Sequence, residues 1–316
     1  MSAPHVVALG GGHGLFATLT SLRSLTSEIT AIVTVADNGG SSGRLREEFP
    51  IFPPGDLRMA LAALCADDEW GRSWAEIMQY RFTSDGALNG HAVGNLLLAA
   101  LWDRDEDPVE GLDRVGALLK VIGRVLPMAG EPLDIQATFL DNGEKKTVRG
   151  QKEVATTIGR FESLQLIPEN PKARPEALTA IAQADWITMG PGSWISSVLP
   201  HLLVPEQVTA LVNSPAKKIL LLNLDDVESG EFSGRSALDH IAAVQKLAPQ
   251  LRFDFIVADS SLVSDPQAAT LLEDKVSTQG GELIVQDLRL ESSANHHDTK
   301  KLASLFAHIA GKTLVG

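Results

Sequence analysis

The residues best equipped for chemistry crowd into two stretches, "TVADNGGSSGRLR" at 34–46 and "PPGDLRMAL" at 53–61. Asp37 closes an apolar run, "ITAIVTV", and is followed by Asn38 and a string of Gly and Ser. Asp37 and Asp56 have the chemistry to hold sugar or ribose hydroxyls, or to position a metal ion through one or two carboxylates. Arg44 and Arg58 can pair with phosphate oxygens in forked geometry. Ser41, Ser42 and Gly43 make a polar cradle between them. About twenty residues separate the strand from the next helical pattern; loops of that length inside a compact domain are usually functional or disordered, and core-like "ITAIVTV" and "MALAAL" on either side argue against disorder. Asp56 follows "PPG" and precedes that pattern, so helix N-capping is a second role open to it.

Three more segments break from apolar runs into turns. In "ALGGGHGLF" (8–16), Gly11, Gly12, His13 and Gly14 would bring backbone N–H groups and a helix N-terminus towards an anion. Gly10, Gly12 and Gly14 are spaced GxGxG, unlike the dinucleotide GxGxxG, and no GxxxxGK[ST] occurs. A nicotinamide dehydrogenase, with Asp37 on the ribose, is therefore the weaker reading of this turn. "TMGPGSWISSVLP" (188–200) offers Gly190, Pro191, Gly192 and Ser193 as a second anion cradle, with Ser193 able to cap the following helix. The third run, "KKILLLNL", ends near Asn223. His91 and Asn95 stand four apart, and Asn95 lies in otherwise apolar "GNLLLAAL". A buried amide needs partners, so Asn95 is a ligand contact or a clamp on the glycine loops. No residue declares itself a general base, and the catalytic residues, if any, stay unassigned.

The elements that would position these residues are legible as a pattern. "HVVAL", "ITAIVTV", "DWITMG", "KKILLLNL", "FDFIVAD" and "ELIVQDL" are continuous apolar runs, separated mostly by helical patterns such as "RPEALTAIAQA" and "SALDHIAAVQKLA". Such runs predict a parallel sheet covered on both faces. Residues 56–120 read as mostly helical, and 121–167 as extra strands around an Asn-Gly hairpin at 141–146. The expected fold is α/β: a Rossmann-like, doubly wound, mostly parallel sheet with a helical insertion and a small β excursion, in one domain over 1–316. Ligands of such sheets sit beyond the carboxyl ends of the strands.

Composition narrows the partners. A net charge of -13 argues against broad nucleic-acid or membrane surfaces, but not against a local anion site. The single cysteine, Cys65, sits in an apolar helical pattern and reads as a core thiol. No apolar stretch is long enough to span a bilayer and no basic leader precedes "HVVALGGG", so the expected location is cytoplasmic. His296 and His297 are expected to be solvated rather than metal-bound, and the five tryptophans to lie in the core.

In order along the chain, "VVALGGGHGL", "VTVADNGGSSGRLR", "PPGDLRMALAAL", "GHAVGNLLLAAL", "GRVLPM", "GPGSWISSVLPHLLVP" and "HDTKK" resemble the signatures of the YvcK-type gluconeogenesis factors. These form a branch of the CofD-like (2-phospho-L-lactate transferase-like) superfamily. The resemblance implies a Rossmann-like fold binding a uridine diphosphate sugar, UDP-N-acetylglucosamine foremost. It also implies a regulatory role joining carbon flow to cell-wall precursor supply and cell shape, an enzyme partner in that supply, and a homodimer. The transferase branch implies instead an enzyme acting on a nucleotide diphosphate-activated substrate, with Mg2+. Some relatives are substrates of Ser/Thr kinases, which marks Thr299 beside Lys300 and Lys301 as a candidate phosphosite, the alternative being an unmodified capping residue, since Asp298 or Thr299 would N-cap the helical pattern that follows. Two departures stand out: "DDVESGEFSG" at 225–234 replaces a Thr-Gln and Gly-Glu-Thr block, and His296 stands where arginine is common.

Overall fold

A computed structural model describes residues 3–105, 107–224 and 235–315, so the departure at 225–234 lies outside the described residues. Its frame is a seven-stranded sheet in which every neighbouring pair is parallel. The strands are β1 (Val6–Gly10), β2 (Ile29–Val33), β3 (Arg124–Pro127), β7 (Trp186–Met189), β8 (Lys217–Leu221), β9 (Phe255–Asp259) and β10 (Glu282–Gln286), in the order β10-β9-β8-β7-β1-β2-β3. All six expected runs became strands. β1, β2, β7 and β9 are buried along their whole length, as strands covered on both faces must be.

The chain starts in the middle of this sheet, builds outward through β2 and β3, then returns to β7 and builds the other way. Strands β1 and β7 therefore flank a topological switch point, where a doubly wound sheet opens a crevice at its carboxyl edge. Helix α1 (Gly12–Leu22) leaves that crevice directly from β1. The helical insertion between β2 and β3 comprises α2 (Gly40–Glu48), α3 (Pro54–Ala63), α4 (Glu69–Gln79), α5 (Val93–Arg104) and α6 (Pro108–Leu119). Helix α2 corrects the expectation of one continuous loop before residue 56. β3 corrects another: it extends the main sheet, whereas 121–167 was expected to lie wholly in the excursion.

The excursion itself is antiparallel, β5-β4-β6, built from β4 (Asp134–Asp141), β5 (Glu144–Arg149) and β6 (Arg160–Ile167), with α7 (Gln151–Thr156) between the last two. Asn142 and Gly143 both take positive φ, 49° and 87°, which is the two-residue turn that Asn-Gly favours. Helices α8 (Pro175–Gln183), α9 (Pro205–Asn213), α10 (Ala237–Leu247) and α11 (Pro266–Ser277) make the later crossovers. A short hairpin, β11 (Arg289–Leu290) and β12 (Ser293–His297), follows β10, and α12 (Thr299–Val315) then packs back along α1. Cys65 is buried, as expected of a core thiol. Trp102, Trp186 and Trp194 are buried too, but Trp70 is 47% exposed and departs from the core expectation. Among the described residues, no single helix is long and apolar enough to cross a membrane.

Candidate functional site

A cleft of about 760 Å³ opens at the switch point. Its floor is the first turn of α1, residues Gly11, Gly12, His13 and Gly14, facing Gly192 and Ser193 from the turn after β7. The two turns touch: a Cβ on Gly14 would overlap the Pro191 carbonyl and the Gly192 Cα. Gly11 is equally confined, since a Cβ there would lie 2.5 Å from both Asp56 Oδ2 and Thr34 Cγ2. Gly12 has a different need, a left-handed φ of 56°. The result is a helix N-terminus with no side-chain bulk between it and the Gly192 turn, a setting suited to an anion, with the Gly12 N–H itself directed at Asp56. Ser193 does not cap the next helix through its side chain; its hydroxyl instead accepts a hydrogen bond from Ser196 at 2.7 Å.

Asp56 lies under this floor. It is the third residue of α3 rather than its N-cap, which is Pro53, so the capping role does not apply. One carboxylate oxygen takes the Gly12 N–H, while Oδ2 is buried with no hydrogen-bond partner, as is the neighbouring Thr34 Oγ1. Burial first, and then the Asp37 carboxylate, push the Asp56 acid up to about 7. Half-buried Asp37 accepts the Gly39 N–H at 2.7 Å and is itself raised, chiefly by burial. Opposing both is Arg58, 3% exposed, whose own acidity burial pulls to about 10.

Behind Arg58 runs a closed polar chain. Arg58 Nε donates to Asn95 Oδ1 at 2.9 Å, and Asn95 Nδ2 donates to Ser41 Oγ at 3.0 Å. The Ser41 hydroxyl is then left to donate to His91 Nδ1 at 2.9 Å, which puts the ring proton of His91 on Nε2. His91 precedes α5 by two residues, so it shares Ser41 with Asn95 rather than a helix face. Asn95 is thus a clamp. Ser42 Oγ accepts from Gly55 N at 3.0 Å and ties α2 to α3, while Gly43 sits where a Cβ would strike the Asn38 carbonyl. Arg44 faces elsewhere, donating to the Ala87 and Asn89 carbonyls at 3.1 and 2.8 Å. Asn38 reaches across to α7.

The cleft wall thus contains Gly11, Gly12, His13, Gly14, Asp56, Gly192, Ser193 and Asn223 of the expected set, with Gly190 and Pro191 closing the turn behind them. Asp37, Ser41, Ser42, Arg58, His91 and Asn95 form the support under it. Sequence reasoning missed the opposite wall. Asn295, His296 and His297 enter from β12, and Gln151 and Lys152 from α7. His297 is buried, and that burial holds its ring neutral down to about 4, contrary to the expected solvation. His13 and His296 meet edge to face at 5.6 Å. Thr299 also borders the cleft as the first residue of α12, but the cap is Asp298, which accepts from the Lys300 and Lys301 N–H groups at 2.7 and 3.1 Å. Among the described residues no cluster of three or more His, Cys, Asp or Glu could hold a metal.

The family described as 2-phospho-L-lactate transferase CofD matches this chain over residues 6–297. The chain belongs to the CofD family. Within that family its relatives are gluconeogenesis factors: the Listeria monocytogenes protein of that name is 34% identical over 98% of this chain and 97% of its own. A Mycobacterium leprae protein that bears the name provisionally is 47% identical over 96% of this chain and 85% of its own. Among solved structures, a UPF0052-family member from Bacillus halodurans superposes with a TM-score of 0.84 at 34% identity, covering 97% of this chain and 99% of that one. The switch-point cleft therefore belongs to a CofD-family scaffold of the gluconeogenesis-factor branch, also known as YvcK.

Proposed function

We propose that this CofD-family chain is a cytoplasmic regulatory protein that binds UDP-N-acetylglucosamine. It would act as a dimer on an enzyme of cell-wall precursor supply, so joining gluconeogenic carbon flow to cell shape. The observation that carries the reading is the floor of the cleft, where the α1 N-terminus and the Gly190–Ser193 turn face one another without side chains between them. That floor suits a diphosphate, and the volume falls in the range of small-molecule sites. A ligand that binds only the folded state stabilises it by about 2.7 kcal/mol at a hundredfold excess over its dissociation constant. Thermal unfolding with UDP-N-acetylglucosamine should therefore show a clear upward shift, and chromatography after incubation with Mg2+ should return the ligand intact. A shift with NAD and none with UDP-sugars would overturn the proposal.

One observation favours a second reading, a transferase. Asp56 Oδ2 is a buried oxygen with no partner beside a second carboxylate, and such a pair suits Mg2+, which takes one or two carboxylates and keeps its waters. Bound there, the ion would neutralise phosphate charge. Asp56 and Asp37 would hold it, Arg58 would balance them, and the α1 terminus would orient the diphosphate. Mg2+-dependent consumption of the nucleotide would select this reading.

The proposal extends to Thr299 as a kinase target. A phosphate there would carry roughly two negative charges at the head of α12, where the helix dipole and Lys300 favour it. Phosphopeptide mapping of protein from its native host should find the modification; an unmodified Thr299 peptide under several growth conditions would end that extension.

A further inference from the structure

Among the described residues lining the cleft, Lys152 is the only lysine or arginine. Arg58 is sealed beneath the floor and committed to Asn95, and Arg44 is turned away to the Ala87 and Asn89 carbonyls. An anion settling on the first turn of α1 approaches two carboxylates, Asp56 and Asp37, against which stand only the buried Arg58 and, beside Asp37, Arg46, itself paired with Asp134 at 3.0 Å. A chain of net charge -13 supplies no general attraction either. The counter-charge has to come from the rim, and Lys152 is where the rim has one.

Lys152 is not placed there by chance of a mobile surface side chain alone. The start of α7 is pinned over the cleft by Asn38, whose Oδ1 accepts the Lys152 N–H at 3.3 Å and whose Nδ2 donates to Glu153 Oε2 at 3.2 Å. Gly150, at φ 106°, makes the approach feasible, because a Cβ there would overlap both the Asn38 amide and the Glu153 carboxylate. Asn38 follows Asp37 directly, so the loop that carries one carboxylate also sets the backbone of the lysine that offsets it.

We propose that Lys152 contacts the anionic group of the bound ligand and supplies its counter-charge, and that Asn38 positions it. This rests on the anion-binding reading of the cleft. The Lys152 side chain is exposed and makes no hydrogen bond or ion pair among the described residues, so Lys152→Gln should fold as wild type does. Removing one charged hydrogen bond weakens binding by about tenfold or more. Calorimetry with UDP-N-acetylglucosamine and, separately, with inorganic pyrophosphate should show that loss for Lys152→Gln in both titrations. Lys152→Arg should recover most of it, and the salt dependence of affinity should flatten in Lys152→Gln alone. Lys145→Gln, on exposed β5, should change nothing. Asn38→Ala, if its unfolding temperature is kept, should weaken binding with Lys152 still present. If wild type binds and Lys152→Gln binds equally, this inference is wrong and the proposed function survives. Binding of pyrophosphate but not of the UDP-sugar, lost in Lys152→Gln, would sustain the inference and remove the UDP-sugar. No binding of either anion by wild type overturns both.

Discussion

At pH 8 the Asp56→Asn protein should be more stable than wild type, by about 2 kcal/mol, and the gap should close towards pH 5. The folded state lifts the Asp56 acid from 3.8 to about 7, so the native protein holds this proton more tightly than the unfolded chain. A raised carboxyl contributes stability that is complete below about 4 and is lost as pH rises through about 7. Each unit of displacement is worth about 1.4 kcal/mol, which sets an upper bound near 4 kcal/mol for the strain at pH 8. Part of that is offset, because ionised Asp56 also gains the Gly12 N–H and the Arg58 charge, which an amide takes up less well. Thermal unfolding of both proteins at pH 5 and pH 8 measures the difference. An asparagine variant less stable than wild type at both values would mean that Asp56 is held ionised and well paired. On the transferase reading the same variant should also lose Mg2+ binding, which separates a carboxylate kept for function from one kept for the fold.

Gly14→Ala should cost about 3 kcal/mol or more, although exchanging an interior helical glycine for alanine ordinarily gains up to 1 kcal/mol. Gly14 lies in the first turn of α1 and has no left-handed φ to protect. What opposes the methyl group is backbone: the Pro191 carbonyl and the Gly192 Cα, neither of which can rotate aside. The two glycine turns would have to separate, taking the floor of the cleft with them. Gly12→Ala makes the useful contrast. Its φ is 56°, but a Cβ there meets only Asp56 Oδ1, at 3.9 Å, so it should lose about 1–2 kcal/mol from backbone strain alone. Denaturant midpoints for the pair decide the matter; equal midpoints would show that the turns are not in contact.

The parallel sheet was readable because six strands are continuous apolar runs with helical patterns between most of them. β3 escaped as a member of that sheet because its four residues, Arg124–Pro127, carry too short a pattern to declare a partner. Helix α2 escaped for a different reason. "GSSGRLREE" has no apolar stripe, and its start is tied down by Ser42, which accepts from the Gly55 N–H across the turn into α3, a contact that hydrophobic periodicity does not register. In the site, the glycine turns and Asp56 could be found because each ends or follows an element whose position was clear. His296, His297 and Lys152 could not, since their proximity to Gly12 depends on where a two-strand hairpin and a six-residue helix land. Arg44 shows the converse: the right side chain in the right segment, with its guanidinium turned to a neighbouring loop.

The cleft joins the first sixty residues of the chain to β12 and the head of α12, near its other end. That has a consequence for biosynthesis. Contacts of such sequence separation carry the largest loop-closure cost and form late. While the polypeptide is still being extended, α1 lacks its packing partner α12, and the glycine floor lacks the wall that β12 supplies. A nascent chain stopped between about residues 200 and 300 would have the glycine floor but not the wall that closes over it. The cleft is enclosed in one late step, when α12 docks along α1.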